Sequence, residues 1–227
     1  MWLRSLFSVV IFLTSASSSL AELAPRQEQA KNHGIVLYNQ LKTESAKPFL
    51  LIASEAGDSE AQYLLAEVLR KKNHYMSSEA RAWYEASANQ GNIYAMIQLG
   101  RSKKDLCDIT RDCKPPQKDP IEWLNEAKKQ AIEKAKNGNA EAMYIMYEIT
   151  LDDQWLEKAA IAGDDQAQYW LAVSYKQGDG FFLPWKRTEE VKKWFKLSAE
   201  AGNPRSMMEY AALLFESGDL EGFRHWN

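Results

Sequence analysis

The stretch Gly163-Asp164-Asp165-Gln166-Ala167-Gln168-Tyr169-Trp170-Leu171-Ala172 decides the fold of this chain. It contains a Gly-Asp pair, two variable residues, a small residue and an apolar segment. The same phrase, with Asp or Asn after the glycine, occurs at Gly57-Asp58, Gly91-Asn92, Gly138-Asn139, Gly163-Asp164 and Gly202-Asn203. The position of the small residue, the small-residue slot, holds Ala61, Ala95, Ala142, Ala167 and Ser206. Recurrence every few tens of residues is typical of stacked supersecondary units.

The residues on either side of each glycine predict two helices. In three repeats an aromatic residue stands eight positions before the glycine, at Trp83, Trp155 and Trp194. Apolar residues recur at spacings of three and four up to the glycine, which is typical of a helix that ends there. The Asp or Asn that follows can cap the next helix. Each phrase therefore predicts an elbow between antiparallel helices, helix B before the glycine and helix A after it, with the tryptophans in the core.

The elbows also carry a family motif. Three of them fit Gly-[Asp/Asn]-x-x-Ala-x-x-x-Leu-[Gly/Ala], at residues 57–66, 91–100 and 163–172. A matching loop and aromatic helix contribute Tyr175, Gly178, Gly180 and Trp194-Phe195. These motifs resemble the Sel1-like repeat (SLR) family, which is related to the tetratricopeptide repeat. The resemblance covers roughly residues 45–216. It implies an all-α fold, an α-solenoid of stacked antiparallel helix pairs that forms a right-handed superhelix of about five units.

The N-terminal residues predict a secretory signal peptide. Arg4 gives a basic start, a short apolar run follows, and Ser19-Leu20-Ala21 forms a small-x-small cleavage site. We expect residues 1–21 to be removed, with a retained anchor as the alternative. Residues 22–227 are expected to form one SLR domain with an N-terminal partial repeat and a C-terminal half repeat. The expected location is the periplasm or the extracellular space, with no transmembrane segment after signal cleavage.

The chain has two cysteines, Cys107 and Cys113. In an exported chain an isolated pair is most simply a disulfide. Two cysteines without a nearby histidine are also too few ligands for zinc. We therefore predict a disulfide between Cys107 and Cys113.

Composition and motif content argue against several functions. The net charge is −3, and no basic face that would bind nucleic acid is visible. The three histidines are scattered, and the chain lacks a His-x-x-x-His pair, a nucleophile motif and a glycine-rich phosphate loop. Asp152-Asp153 and Asp164-Asp165 are interpreted as helix caps rather than cation ligands. We predict no catalytic, cofactor or metal site.

The resemblance implies that the A helices line a concave groove. Two sets of residues are expected to line this groove. The first set lies two positions after each small-residue slot, and the second set lies one helical turn later. The first set is Tyr63, Ile97, Tyr144, Tyr169 and Met208, and the second is Glu67, Arg101, Glu148 and Val173. Aromatic and apolar side chains flanked by charges suit a protein partner. The alternative is that some tyrosines only fill the space between adjacent A helices. A second candidate surface is the loop 178–185, through Phe181 and Trp185.

Together these features predict an exported, non-catalytic solenoid that binds one protein in its groove. Some exported relatives resemble immunity proteins that neutralise lipase-type toxic effectors in the periplasm, so the resemblance makes a toxic effector enzyme the specific expectation for the partner. The first alternative is a scaffold or adaptor for envelope assembly or signalling. The second is a β-lactam-interacting hydrolase, which cysteine-rich relatives suggest, although this chain lacks their repeated cysteines and a Ser-x-x-Lys motif.

Overall fold

The computed structural model describes residues 23–73, 76–102, 115–180 and 183–226. Within these ranges the chain forms twelve helices and no strand. The helices are α1 (Pro25–Asn39), α2 (Thr43–Glu55), α3 (Ser59–Asn73), α4 (Ser78–Asn89), α5 (Ile93–Arg101), α6 (Pro120–Lys136), α7 (Ala140–Thr150), α8 (Asp153–Ile161), α9 (Asp165–Gln177), α10 (Pro184–Glu200), α11 (Pro204–Glu216) and α12 (Leu220–Trp226). The predicted all-α class is confirmed.

Successive helices pack against one another throughout the described ranges. The B helices are α2, α4, α6, α8 and α10, and each is followed by its A helix, α3, α5, α7, α9 or α11. One hydrophobic cluster extends from α1 to α7 and a second from α7 to α12, and Met143 of α7 contacts both. The expected α-solenoid of neighbouring helix pairs is therefore confirmed.

The elbows share one backbone geometry. The glycine has a positive φ, for example +94° at Gly57 and +98° at Gly202, a conformation that favours glycine at the end of a helix. The N–H of the next residue donates to the carbonyl five residues earlier. Asp58 reaches Ala53 at 3.1 Å in this way. This bond closes helix B and leaves the Asp or Asn at the start of helix A.

The Asp or Asn side chain then caps helix A. Its Oδ1 atom accepts from the backbone N–H three residues later, at 2.7 to 3.1 Å. Each such cap contributes about 1 kcal/mol. A further elbow, Gly218-Asp219, has the same geometry, with Gly222 in the small-residue slot. This elbow was not predicted from the sequence.

The additional elbow starts the short helix α12, which packs on α11. The ring of Phe223 lies 5.3 Å from that of Phe215, and the ring of Trp226 lies 5.6 Å from that of Tyr210. The expected C-terminal half repeat is therefore covered on one side by the last residues of the chain.

The small-residue slots lie where helices touch. Ala61, Ala95, Ala167 and Ser206 are fully buried. Gly100 of α5 lies so close to α6 that an added Cβ would stand 2.3 Å from Cγ of Leu124. These positions allow the close helix contacts that the repeat pattern predicts.

The tryptophans before the elbows are less central than predicted. Trp194 is buried, but Trp83 and Trp155 are half-buried and pack against the edge of the core. The fully buried position is the next one, occupied by Tyr84, Leu156 and Phe195. Because successive helical residues point about 100° apart, a small rotation of helix B directs this next residue to the core.

Several predictions concern segments that the structure does not describe. Residues 1–21, Cys107, Cys113 and Phe181 lie outside the described residues, so the signal peptide, the disulfide and the role of Phe181 stay predictions. Among the helices that are described, each is too short or too polar to cross a membrane.

Candidate protein-binding groove

The A helices line a groove with a volume of about 790 Å³. Its walls come from α3, α5, α7 and α9, together with the C-terminal end of α1 and the N-terminal end of α11. Six predicted residues line it, namely Tyr63, Glu67, Ile97, Arg101, Tyr144 and Glu148. Because α1 and α11 border the same groove, the first and last parts of the array face each other across it.

The other predicted residues lie elsewhere. Tyr169, Val173 and Met208 are not among the residues that line this groove. The ring of Tyr169 lies 6.0 Å from that of Phe195 on α10, so Tyr169 packs against the B helix of the following pair. Val173 is half-buried, and Met208 is 61% exposed outside the groove. Trp185, the second candidate surface, is 65% exposed at the start of α10 and is also outside the groove.

Sequence reasoning missed part of the lining. The groove is also lined by Tyr38, Arg70, Lys71, Tyr94, Trp170 and Arg205. A usable signal existed for Tyr94 and Arg205, which stand directly before a small-residue slot. The position before the slot lies three residues ahead of the predicted lining position, which is two residues after the slot, so both share one face of the helix. On α9 the lining residues are Gln166 and Trp170, so this helix is rotated by about one residue relative to the prediction.

The depth of these side chains divides them into a floor and an accessible surface. Ile97 is 1% exposed, Tyr144 is 6% exposed and Glu67 is 4% exposed, so they form the floor. This burial favours the alternative that inner tyrosines fill the space between adjacent A helices. Trp170 is 36% exposed and lines the groove. Its ring can therefore offer contact area to a partner.

A hydrogen-bond network fixes the floor at α3 and α4. The Tyr84 hydroxyl donates to Oε1 of Glu67 at 2.6 Å, and Nη2 of Arg70 lies 2.9 Å from Oε2 of Glu67. Arg70 Nε also donates to the Tyr84 hydroxyl at 3.1 Å. Burial and the nearby Glu67 carboxylate raise the pKa of Tyr84, so its hydroxyl stays a donor. Buried charges held by several hydrogen bonds are fixed in position.

A second polar connection joins neighbouring A helices. Nη1 of Arg101 on α5 lies 2.5 Å from Oε2 of Glu148 on α7, and Nη2 donates to the Glu148 carbonyl. The Tyr94 hydroxyl of α5 donates to Oε1 of Glu141 on α7 at 3.0 Å. The cation of Arg101 is therefore neutralised within the groove wall.

The part of the groove bordered by α1, α3 and α11 has an excess of positive charge. Lys71 Nζ lies 2.6 Å from the Tyr38 hydroxyl and 3.9 Å from Oε2 of Glu67. Arg205 of α11 lies above the ring of Tyr169, 5.9 Å from its centroid. Four cations and two carboxylates line the groove, although the whole chain has a net charge of −3. This part of the groove therefore suits an anionic group.

Reactive chemistry is not evident in the described ranges. Those ranges contain no group of three or more His, Cys, Asp or Glu residues placed to hold a metal ion. His33 lies against Phe49 and His225 against Trp226, and neither histidine lines the groove. The groove offers contacts for binding, through aromatic, amide and charged side chains.

Comparisons with known proteins return repeat proteins. No protein-family model matches the sequence, and a search of curated proteins gives no significant match. Among solved structures, the chain is similar to a Sel1 repeat protein from Oxalobacter formigenes, with 20% identity, a TM-score of 0.37 and coverage of 88% of this chain and 85% of that chain. It is also similar to c5321, a protective antigen of uropathogenic Escherichia coli with an SLR fold, with 19% identity, a TM-score of 0.37 and coverage of 88% and 52%. For pilF of Pseudomonas aeruginosa the identity is 16%, the TM-score 0.39 and the coverage 88% of both chains.

The repeated elbow, its caps and the twelve helices of the described ranges are consistent with an SLR solenoid. The similarities to solved structures are too distant to transfer any function to this chain. Its function therefore has to be argued from the groove itself.

Proposed function

We propose that this protein is a non-catalytic scaffold that binds a segment of a partner protein in the groove. The observation that supports this proposal is the groove itself. Several consecutive A helices border it, and it combines the accessible ring of Trp170 with amide and charged side chains. Aromatic and arginine side chains provide most of the binding energy at protein interfaces.

The size of the groove favours a segment over a folded domain as the bound element. A volume of about 790 Å³ lies within the usual range for sites that enclose small ligands. It accommodates a few side chains of a partner, and the rim of the groove contacts the residues on either side of them. A partner therefore inserts an exposed loop or terminus.

The specific form of the proposal is an exported immunity protein that neutralises a lipase-type toxic effector in the periplasm. It is supported by the family resemblance and by the expected signal peptide, residues 1–21. A co-expression experiment tests it. Cells that produce such an effector in the periplasm should grow when the full chain is present and stop growing when it is absent. Equal growth arrest in both strains would refute the immunity role and leave the binding scaffold intact.

Two tryptophans provide a matched test of the groove. Trp170 lines it, and Trp185 is exposed outside it. We expect affinity capture with the purified protein, quantified by mass spectrometry, to recover a partner with the unmodified chain and with Trp185→Ala, and to lose it with Trp170→Ala. Far-ultraviolet circular dichroism of the three proteins shows whether each remains folded.

The same comparison decides between the two predicted surfaces. Loss of the partner with Trp185→Ala and retention with Trp170→Ala would move the binding site to the loop 178–185. Identical capture by all three proteins would contradict both surfaces.

A further inference from the structure

The geometry points to an acidic side chain of the partner segment that binds between Lys71 of α3 and Arg205 of α11. This inference rests on the proposed function and names the chemistry of the group that the groove receives. It places the acidic residue where the first and last parts of the array face each other.

Two of the cations that line the groove are already neutralised. Arg70 is bound to Glu67, and Arg101 is bound to Glu148. The two carboxylates that line the groove are therefore occupied by these arginines. Lys71 and Arg205 are the remaining cations of the lining.

Among the described residues Arg205 has no ion pair, and its guanidinium lies over the Tyr169 ring, 5.9 Å from the ring centroid. Lys71 reaches Glu67 only at 3.9 Å and takes the neutral Tyr38 hydroxyl as its short contact. Burial lowers the pKa of Lys71, the Glu67 carboxylate opposes this effect, and the nearby cations Arg205 and Arg70 add to it. A carboxylate placed here would gain charge-assisted hydrogen bonds from both side chains.

Negative charge near Tyr94 sets the orientation of the bound segment. Glu141 of α7 accepts from the Tyr94 hydroxyl at 3.0 Å, and burial together with this carboxylate raises the pKa of the phenol. That part of the groove repels the acidic side chain of the partner segment. The acidic residue of the partner therefore lies near α11, and its neutral residues lie along α5 and α7.

Peptide pools of defined composition test this inference. Two pools of acetylated and amidated dodecapeptides have a fixed centre, which is Glu in one pool and Gln in the other, and every other position is random among residues other than Asp and Glu. A third pool has the Gln centre and a free C-terminal carboxylate. Each pool is passed over the immobilised full chain at low salt, and mass spectrometry quantifies the retained peptides.

We expect the unmodified protein to retain the Glu pool about tenfold more than the capped Gln pool, the effect of one charge-assisted contact. Arg205→Gln should reduce this ratio to about one, and Arg205→Lys should retain part of it. Arg224→Gln, an exposed arginine of α12, is the matched control and should keep the full ratio. Lys71→Gln is a second variant that should also lower the ratio, so the test does not depend on one substitution.

The outcomes separate this inference from the proposed function. Equal retention of the Glu and Gln pools, or an unchanged ratio with folded Arg205→Gln, would overturn the acidic site while leaving groove binding intact. Preference for the pool with a free C-terminus would assign the site to a terminal carboxylate instead of a side chain. Retention of none of the pools would overturn both proposals.

Discussion

Asp164→Asn should stabilise the protein at neutral pH. Asp164 caps α9 by accepting from the Ala167 N–H at 2.7 Å. Burial raises the pKa of its carboxyl to about 6, from an ordinary value of 3.8, and the nearby Asp165 and Glu141 add to this effect, although the backbone hydrogen bonds oppose it. Asn has the same shape and already caps α5, α7 and α11. The substitution therefore keeps the cap and removes the unfavourable charge.

The size of the effect follows from the pKa. A carboxyl whose pKa is higher in the folded state binds more protons there, so its contribution to stability is complete below pH 3.8 and is lost as the pH rises through about 6. A difference of about two pKa units corresponds to about 3 kcal/mol. Asp164 keeps partial contact with solvent, and screening lowers this to about 1 to 2 kcal/mol. That is the gain we expect for Asp164→Asn at pH 7.5, and we expect no gain at pH 4 or below.

Urea denaturation followed by circular dichroism, at several values between pH 4 and pH 7.5, measures this difference. Asp58→Asn is the matched control, since Asp58 occupies the same position in the first elbow but is paired with Lys31 at 3.0 Å. Asp58→Asn removes this ion pair and should leave the free energy of unfolding unchanged or lower it by up to about 1 kcal/mol at pH 7.5. An equal gain for Asp164→Asn at pH 4 and pH 7.5, or no gain at either, would show that charge burial at Asp164 is not the cause.

Three further changes test the packing. Gly100→Ala should lower the free energy of unfolding by about 1 to 3 kcal/mol, because the new Cβ would overlap Leu124. Adding Leu124→Ala should restore part of the loss in urea denaturation, and a loss that is purely additive would contradict the clash. Tyr84→Phe should cost about 1 to 2 kcal/mol, because the Glu67 carboxylate loses a hydroxyl donor at 2.6 Å. An unchanged urea midpoint would mean that water replaces the hydroxyl. Deleting residues 219–227 should lower the melting temperature, since α12 covers apolar surface of α11, and an unaltered melting curve would show that this cover is dispensable.

The elbows could be predicted from sequence because their chemistry is local. A glycine with positive φ and an Asp or Asn cap act within a few residues, so the order of helices follows directly from the repeated phrase. The elbow at Gly218-Asp219 obeys the same rules. It was missed because it follows helix A directly, without the helix B that the repeat leads one to expect.

The groove was predicted less completely because the rotation of each helix depends on its neighbours. Tyr169 and Trp170 are adjacent in sequence, and the contact of Tyr169 with Phe195 of α10 is what directs Trp170 into the groove. The burial of Ile97 likewise depends on packing among several helices. Spacing alone identifies the helix face to within about one residue, which was sufficient for α3, α5 and α7 and insufficient for α9.

Because α1 and α11 border the same groove, the width of the groove opening depends on the number of helix pairs between them. Duplication of one internal helix pair would rotate α11 further around the superhelix axis relative to α3. Arg205 would then no longer face Lys71, even if every side chain were kept. Residues added to a connecting loop would leave the relative rotation of the helix pairs unchanged. Evolution of a new ligand preference in such a molecule can therefore proceed by gain or loss of whole units, as well as by substitution.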